Sequence, residues 1–196
     1  MNFNTEEVNK LIRNRRSIYP KMYSGEKVDR KIIEQMLENA NWAPTHGKTE
    51  PWRFVVFSGE GIRTFTDLQA ATYKVSAEKQ GKFEEKKYEK LKTKPLLASH
   101  IIAIIMKRDA KGKIPAIEEV EATACAVQNM YLTATAYGVG CYWSSGGMTY
   151  LPEAKEHFSL EEEDQLLGFL YVGMPGEKWP DGKRGPLEEK VQWVED

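Results

Sequence analysis

The chain has 196 residues, of which 41% are hydrophobic and 29% are charged, and its formal net charge is −1. This balance excludes a disordered chain, and the near-neutral charge argues against nucleic acid or a membrane surface as a partner. The two cysteines, Cys125 and Cys141, form no CxxC motif, so a structural zinc site is not expected. The chain has no hydrophobic signal core and no apolar run of membrane-spanning length, so we expect a cytoplasmic protein.

The N-terminal part of the chain predicts two helices, a loop and a strand. The first helix begins after a cap at Asn4 or Thr5 and runs to about Arg16. The second helix has Asp29 near its start and apolar positions as far as Ala40. The loop APTHGKTEP then leads into WRFVVFS, whose β-forming residues predict a buried strand, and GEGIRTFTDL begins a further helix.

The C-terminal part predicts a central strand at ASHIIAIIMK and a long helix at AIEEVEATACAVQNMYLTATAYG. A short strand then enters a glycine-rich turn at VGCYWSSGGM, and LPEAKEHFS and DQLLGFLYVGMP predict a short helix and another strand. The tail alternates apolar residues at Val191 and Trp193, which suits a strand added to a sheet edge. We therefore expect a single α+β domain over residues 1–196, with a central sheet wrapped by helices.

Two segments allow alternative interpretations. The strongly charged stretch from Thr72 to Lys94 predicts a solvated helix with i,i+4 ion pairs, and it would also suit a mobile lid over a pocket. The long helix carries small residues at Ala122, Ala126 and Ala134, which favour close packing. That packing could be with a second subunit or within the chain.

The common catalytic signatures GxSxG, HExxH and GxxxxGK[ST] do not occur, and the glycines of YGVGCYWSSGG do not form a dinucleotide-binding fingerprint. Arg15, Arg16 and Ser17 follow the first helix. Basic residues at a helix C-terminus complement its dipole, but guanidinium groups beside a serine also suit a phosphate. Taken alone, the dipole explanation is favoured, and Arg13 is interpreted as a solvated helix residue.

Three further features are candidates for a binding site. His46 lies in a turn-rich loop bracketed by Trp42 and Trp52, without a nucleophile visibly tied to it. The turn from Tyr142 to Gly147 combines serines and glycines that let backbone amides approach a flat ligand, although it also suits an ordinary tight turn. The basic tail positions Lys183 and Arg184 could belong to a solvated turn.

In combination, these features resemble the nitroreductase family of FMN-dependent reductases, which draw electrons from NADH or NADPH. The segments that carry the resemblance are RRS, APTHGKTEPWRFVV, GVGCYWSSG and KRGPLEEKVQWVE, in the family's order and spacing. The short length and the APxHxxxEPWRF form are similar to its minimal branch. The resemblance implies a nitroreductase-like α+β fold with a mainly antiparallel sheet, and a homodimer whose C-terminal tails extend onto the partner subunit.

The resemblance also implies a role for each candidate residue in an FMN site built across the subunit interface. Arg15, Arg16 and Ser17 would hold the flavin phosphate, completed by Lys183 or Arg184 from the tail. Trp42 and His46 would lie against the flavin from the neighbouring subunit. The remaining part of the cofactor site would be lined by Trp143, Ser144, Ser145 and Gly146.

The sequence departs from the family pattern at two places. Many members carry a basic residue at the position of Tyr19, near the pyrimidine end of the flavin. Many also carry Asn and Gln where this chain has Lys48 and Glu50. The source of positive charge near the reduced flavin is therefore a question for the structure.

The mechanism implied by the resemblance is a ping-pong reaction, in which hydride passes from NADH or NADPH to flavin N5 and a small acceptor is then reduced. Nitroaromatics and quinones are the expected acceptors, and no side chain is assigned as a catalytic acid, base or nucleophile. The alternatives are another flavin reaction on the same fold, such as dehalogenation, unsaturated-bond reduction or flavin breakdown, and a non-catalytic flavin-binding sensor.

Overall fold

The computed structural model describes residues 2–176 and 179–195, which form six α-helices and four β-strands. In chain order these are α1 (Thr5–Asn14), α2 (Arg30–Ala40), β1 (Trp52–Ser58), α3 (Gly61–Lys79), α4 (Glu85–Thr93), β2 (His100–Met106), α5 (Ala116–Ala136), β3 (Gly140–Ser144), α6 (Pro152–His157) and β4 (Gln165–Gly173). Short 3-10 helices cover Pro20–Met22, His46–Lys48 and Lys94–Leu97.

The first two helices begin at side-chain caps. Asn4 Oδ1 accepts hydrogen bonds from the backbone N–H groups of Glu6 and Glu7, and Asp29 Oδ1 accepts one from Lys31. These bonds satisfy N–H groups that the first turn of a helix leaves without partners. Helix α1 ends at Asn14, before the predicted end, so the following residues leave the helix in an extended conformation.

The four strands pair antiparallel in the order β1-β2-β4-β3. Every residue of β2 is buried, which confirms the predicted central strand. Its side chains alternate between the two faces of the sheet, as the strand period requires. Ile102 and Ile104 pack in the core beneath α2 and α5, whereas Ile101 and Ile105 pack in the core beneath α3 and α6.

Strand β1 lies at an edge of the sheet, and the prediction that it is buried was wrong. Val55 and Val56 are each 39% exposed, and β2 is its pairing partner within the described residues. An apolar run has the same composition whether its strand is central or peripheral, so the sequence could not separate the two cases.

Small residues in α5 pack inside the chain. Ala122, Ala126 and Ala134 are buried in the core that α5 shares with α2 and the sheet. The alternative of packing within the chain is confirmed for these alanines. The large apolar side chains exposed on α5 and at its C-terminal end are Ile117 and Tyr137.

The charged segment 72–94 is divided between the end of α3 and the whole of α4. One i,i+4 ion pair occurs there, between Lys74 Nζ and Glu78 Oε1 at 3.9 Å, but α4 forms none among the described residues. The expected ladder of ion pairs is therefore absent from α4 in this part of the chain. Within residues 2–176 and 179–195, no helix is both long and apolar enough to cross a membrane.

Candidate functional site

The extended segment after α1 is held to the sheet by β3. Ser17 forms a parallel bridge with Cys141, and the Ile18 N–H donates to the Cys141 carbonyl at 2.8 Å. Residues before Ser17 line one cavity and residues after it line another. This segment therefore connects two cavities, which we name the arginine cavity and the lysine cavity.

The arginine cavity has a volume of about 430 Å³. It is lined by residues from α1, α5, the segment that follows α1 and the tail: Ile12, Arg13, Arg15, Arg16, Gln128, Gly182 and Arg184. Four of these side chains are guanidinium groups, and no carboxylate occurs among the described lining residues. Such a concentration of forked cationic donors suits a phosphate.

Arg16 holds the tail against the N-terminal segment. Its Nη1 donates to the carbonyls of Arg13 and Arg15 at 2.6 and 2.8 Å, and its Nε donates to the Pro180 carbonyl at 3.1 Å. A Cβ at Gly182 would overlap the Arg16 guanidinium, so glycine permits this close approach. Three carbonyls thus fix the orientation of Arg16, and the one from Pro180 joins Arg16 to the tail.

Arg15 is positioned by an aromatic ring. Its Cζ lies 5.1 Å from the centre of the Tyr131 ring, within the range of a cation–π contact. Burial raises the pKa of Tyr131, despite hydrogen bonds that act in the opposite direction, so the phenol is neutral at physiological pH. The Trp143 N–H donates to the Tyr131 hydroxyl at 2.7 Å, which ties this ring to β3.

The lysine cavity has a volume of about 520 Å³ and contains the predicted glycine turn. Tyr19 and Tyr142 line it, with ring centres 4.5 Å apart, and Ser144 and Gly146 follow at the end of β3. The opposite side comes from the region of α4. The cationic lining residues are Lys21, Lys87, Lys90 and Lys94.

The glycine turn and α4 are joined through Gln69 of α3, which is buried. Its Nε2 donates to the Leu91 carbonyl in α4 at 3.3 Å. Gly147 has φ +68°, and a Cβ there would overlap the Gln69 side chain. The Gly146 N–H donates to Ser144 Oγ at 3.2 Å, which closes the turn locally. Both sides of the lysine cavity are therefore held by one buried amide.

Other candidate residues lie outside the linings of these two cavities. Trp42 is 78% exposed, and its indole N–H donates to Glu38 Oε1 at 3.0 Å. His46 Nδ1 lies 2.5 Å from Glu118 Oε2 at the start of α5. Trp143 packs partly against the core and donates its indole N–H to the Leu167 carbonyl at 3.0 Å, while Ser145 is exposed within the turn.

The structure distinguishes the two tail cations. Arg184 lines the arginine cavity, whereas Lys183 is absent from the described lining. Arg13 is an exposed residue of α1, as predicted, and it also lines this cavity. The sequence did not lead us to predict that the four lysines of the lysine cavity form one group. The i, i+3, i+7 spacing of Lys87, Lys90 and Lys94 is nevertheless visible in the sequence.

The antiparallel α+β fold and the two cavities define the class of scaffold, and comparison with known proteins defines the family. The model of the Nitroreductase family matches residues 12–174. The chain therefore belongs to the Nitroreductase family.

Individual relatives agree with this assignment. The chain is 34% identical over 143 residues to YdjA of Escherichia coli K12, named a putative NAD(P)H nitroreductase, covering 73% of this chain and 75% of YdjA. A nitroreductase-like family protein from Bacillus cereus superposes with a TM-score of 0.80 at 28% identity, covering 100% of both chains. A putative nitroreductase from Desulfovibrio desulfuricans, solved in complex with FMN, shares the fold with a TM-score of 0.73 at 24% identity, covering 100% of this chain and 99% of that chain.

Proposed function

We propose that this protein is an FMN-dependent oxidoreductase that takes hydride from NADH or NADPH and reduces small acceptors such as nitroaromatics and quinones. The observation that carries the proposal is the arginine cavity, which adjoins a tyrosine- and glycine-lined cavity through Ser17. The arginine cavity suits the phosphate of FMN. The glycine turn at the end of β3, on one side of the lysine cavity, suits the flat ring and leaves the rest of that cavity for the reactants. The name of YdjA and the FMN complex of the Desulfovibrio protein support the same assignment.

The residues present fit the phosphate of FMN. Arg15 and Arg184 would bind the phosphate oxygens, because both residues line the cavity. Arg16 would contribute charge while it holds the tail in place, since its Nε and Nη1 already donate to carbonyls. Ser17 would add a hydroxyl donor beside them.

The flat part of the cofactor would lie along the end of β3, among Ser144, Ser145 and Gly146, with Trp143 behind them. Once bound, the flavin supplies the hydride-accepting and hydride-donating chemistry. The protein orients it and sets the surrounding charge. The cations of the lysine cavity would favour negative charge on the reduced ring, in place of the cation that many family members carry at the position of Tyr19.

The proposal includes a homodimer in which Trp42 and His46 complete the site of the neighbouring subunit. Trp42 is exposed in the single chain, as are Trp193 and Val194 of the tail at 81% and 88%. The described part of the tail, residues 179–195, contains no strand, while the outer edge of β1 has no strand paired to it within the described residues. A tail that pairs with β1 of another copy would provide hydrogen-bond partners for the unpaired backbone groups of β1. It would also cover the exposed apolar residues of the tail.

The proposed reaction assigns no catalytic acid or base. Protons would come from water or from the acceptor, and the two reactants would use the same cavity in turn. A single domain over residues 1–196 and a cytoplasmic location remain part of the proposal.

The decisive experiment is a visible spectrum of the purified protein after incubation with FMN and removal of free flavin. We expect flavin absorbance near that of free FMN, followed by anaerobic bleaching when NADH or NADPH is added and recovery when a nitroaromatic or quinone is added. Protein that stays colourless would overturn the proposal. Bleaching without turnover of these acceptors would favour another flavin reaction, and bound flavin that neither nucleotide reduces would favour a sensor.

A further inference from the structure

One face of α4 presents cations to the lysine cavity. Lys87, Lys90 and Lys94 are spaced i, i+3 and i+7, so they lie on the same side of the helix and its continuation. Lys21 lines the cavity from a separate segment, after the Ser17 bridge. Basic residues in the last turn of α4 would complement its dipole on any side of the helix. The dipole therefore does not explain why these lysines line the same cavity as Lys21.

These charges are not neutralised by carboxylates. The described residues that line the cavity include no Asp or Glu. None of the four lysines forms an ion pair with another residue in the ranges 2–176 and 179–195. Like charges three or four positions apart on a helix repel each other and destabilise it. A negatively charged ligand would offset this repulsion.

The lysines are not equally available. Lys87 Nζ lies 4.5 Å from the centre of the Tyr73 ring, so an aromatic contact already engages it. Lys90 and Lys94 are exposed and have no comparable contact in the described part of the chain. These two side chains are therefore the best placed on α4 to bind an anion.

The lining of the lysine cavity also contains aromatic rings. Tyr19, Tyr142 and Tyr171 line the cavity, and the first two rings are in contact. Tyr19 is 48% exposed, so part of its ring surface is open. Burial raises the pKa of Tyr171, which keeps that phenol neutral and leaves the cationic character of the cavity intact. A cavity lined by both aromatic rings and lysines suits a molecule with both a flat part and a negative charge.

We propose that the lysine cavity binds a small organic anion, with the flat part of the molecule against Tyr19 and Tyr142 and its carboxylate or phosphate near Lys21, Lys90 and Lys94. This inference rests on the proposed function and narrows its substrate class. The anion has two possible sources, which are a negatively charged acceptor and the additional phosphate that distinguishes NADPH from NADH.

The test compares 4-nitrobenzoate with 4-nitrobenzamide as acceptors for the FMN-loaded protein. The two molecules have similar shapes, but only the first is charged. We expect a higher kcat/KM for the benzoate, and we expect Lys90→Gln or Lys94→Gln to lower that value about fivefold at low salt, as loss of one exposed Coulomb contact implies. The amide should change by less than about twofold, because a neutral group has no such contact. High salt should reduce the preference.

Lys86→Gln is the matched control, because Lys86 is an exposed lysine on α4 outside the described cavity lining. It should leave both acceptors unchanged. The KM values for NADPH and NADH, measured in the same variants, identify the source of the anion. A loss confined to NADPH assigns the site to the nucleotide phosphate, and a loss confined to nitrobenzoate assigns it to the acceptor. Equal use of the two acceptors together with unchanged nucleotide KM values in both variants overturns the proposal.

Calorimetric titration of the oxidised protein with 4-nitrobenzoate separates this inference from the proposed function. Binding that weakens in Lys90→Gln and Lys94→Gln, but not in Lys86→Gln, supports the anion site even if no nucleotide reduces the protein. Flavin reduction by NADPH and NADH alike, with no lysine-dependent anion binding, leaves the oxidoreductase assignment intact and contradicts the anion site.

Discussion

The arginine and lysine cavities are both cationic, but they hold their charges differently. In the arginine cavity, Arg16 is fixed by three carbonyls and Arg15 lies over the ring of Tyr131. In the lysine cavity, Lys90 extends from α4, which has no buried residue, and Lys94 begins the 3-10 helix that follows α4. Fixed guanidinium groups suit a permanently bound phosphate, whereas flexible ammonium groups suit a reactant that enters and leaves. We infer from this difference that the arginine cavity retains the phosphate of the cofactor, whereas the lysines of the other cavity contact the reactants.

Among the variants that test this comparison, we expect Arg15→Ala to have the largest effect on FMN affinity. We predict that the affinity for FMN falls about 100-fold, the upper range for losing a hydrogen bond to a charged group. Equilibrium dialysis or fluorescence titration of the apoprotein measures it. Arg63→Ala is the control, because Arg63 is exposed and pairs with Glu60 on another part of the surface. Similar affinities for both variants and the natural sequence would contradict the phosphate assignment.

A smaller effect should distinguish the two tail cations. Arg184→Ala should weaken FMN binding about fivefold, because an exposed charged contact contributes at most about 1 kcal/mol. Lys183→Ala should change it by less than about twofold, since Lys183 is absent from the described lining of the cavity. The same titration checks both variants. A larger loss with Lys183→Ala would reverse this assignment.

The third prediction concerns the junction between the tail and Arg16. In Gly182→Ala, the added Cβ would overlap the Arg16 guanidinium, so the tail must move and take Arg184 with it. FMN affinity should fall about threefold, which is less than the loss with Arg184→Ala. Trypsin should also cleave the tail faster. Gly185→Ala is the control, because its Cβ would approach only the flexible end of Lys190, at 3.2 Å. Equal cleavage rates in these two variants would show that the junction does not hold the tail.

The smallest effect on FMN affinity is expected on the lysine side. Gln69→Ala removes the bond from α3 to the Leu91 carbonyl, so amide hydrogen exchange in α4 should rise about fivefold while FMN affinity changes by less than about twofold. Gln80→Ala, which loses a bond to Ser76 within α3 instead, should leave α4 exchange unchanged. A large loss of FMN affinity in Gln69→Ala would contradict the claim that FMN affinity depends mainly on the arginine cavity.

The sequence predicted the structural features that depend on residues close to one another in the chain. Asn4 and Asp29 cap helices because their side chains reach nearby N–H groups, and β2 is central because its residues are apolar on both faces. The RRS motif was also recognisable, since its residues are contiguous. The edge position of β1 was not predicted, because strand order depends on long-range pairing.

The lysine cavity shows what the sequence could not supply. Lys87, Lys90 and Lys94 look like a solvated charge run, and they become a wall only when α3 and Gln69 bring α4 to the glycine turn. Likewise, Arg13 and Arg184 line one cavity because Arg16 and the end of α1 bind the tail: Arg16 Nε donates to the Pro180 carbonyl, and the Trp179 indole N–H donates to the Asn14 carbonyl. Contacts between distant segments decide both cases, and no local pattern encodes them.

The central claim is that the arginine cavity binds the phosphate of FMN, and the most direct test compares FMN with riboflavin, which lacks only that phosphate. The dissociation constants of both ligands should be measured for the apoprotein and for Arg15→Ala. The account predicts that FMN binds the natural protein about 100-fold more tightly than riboflavin, and that Arg15→Ala removes most of this difference. Equal affinities for FMN and riboflavin in the natural protein would contradict it.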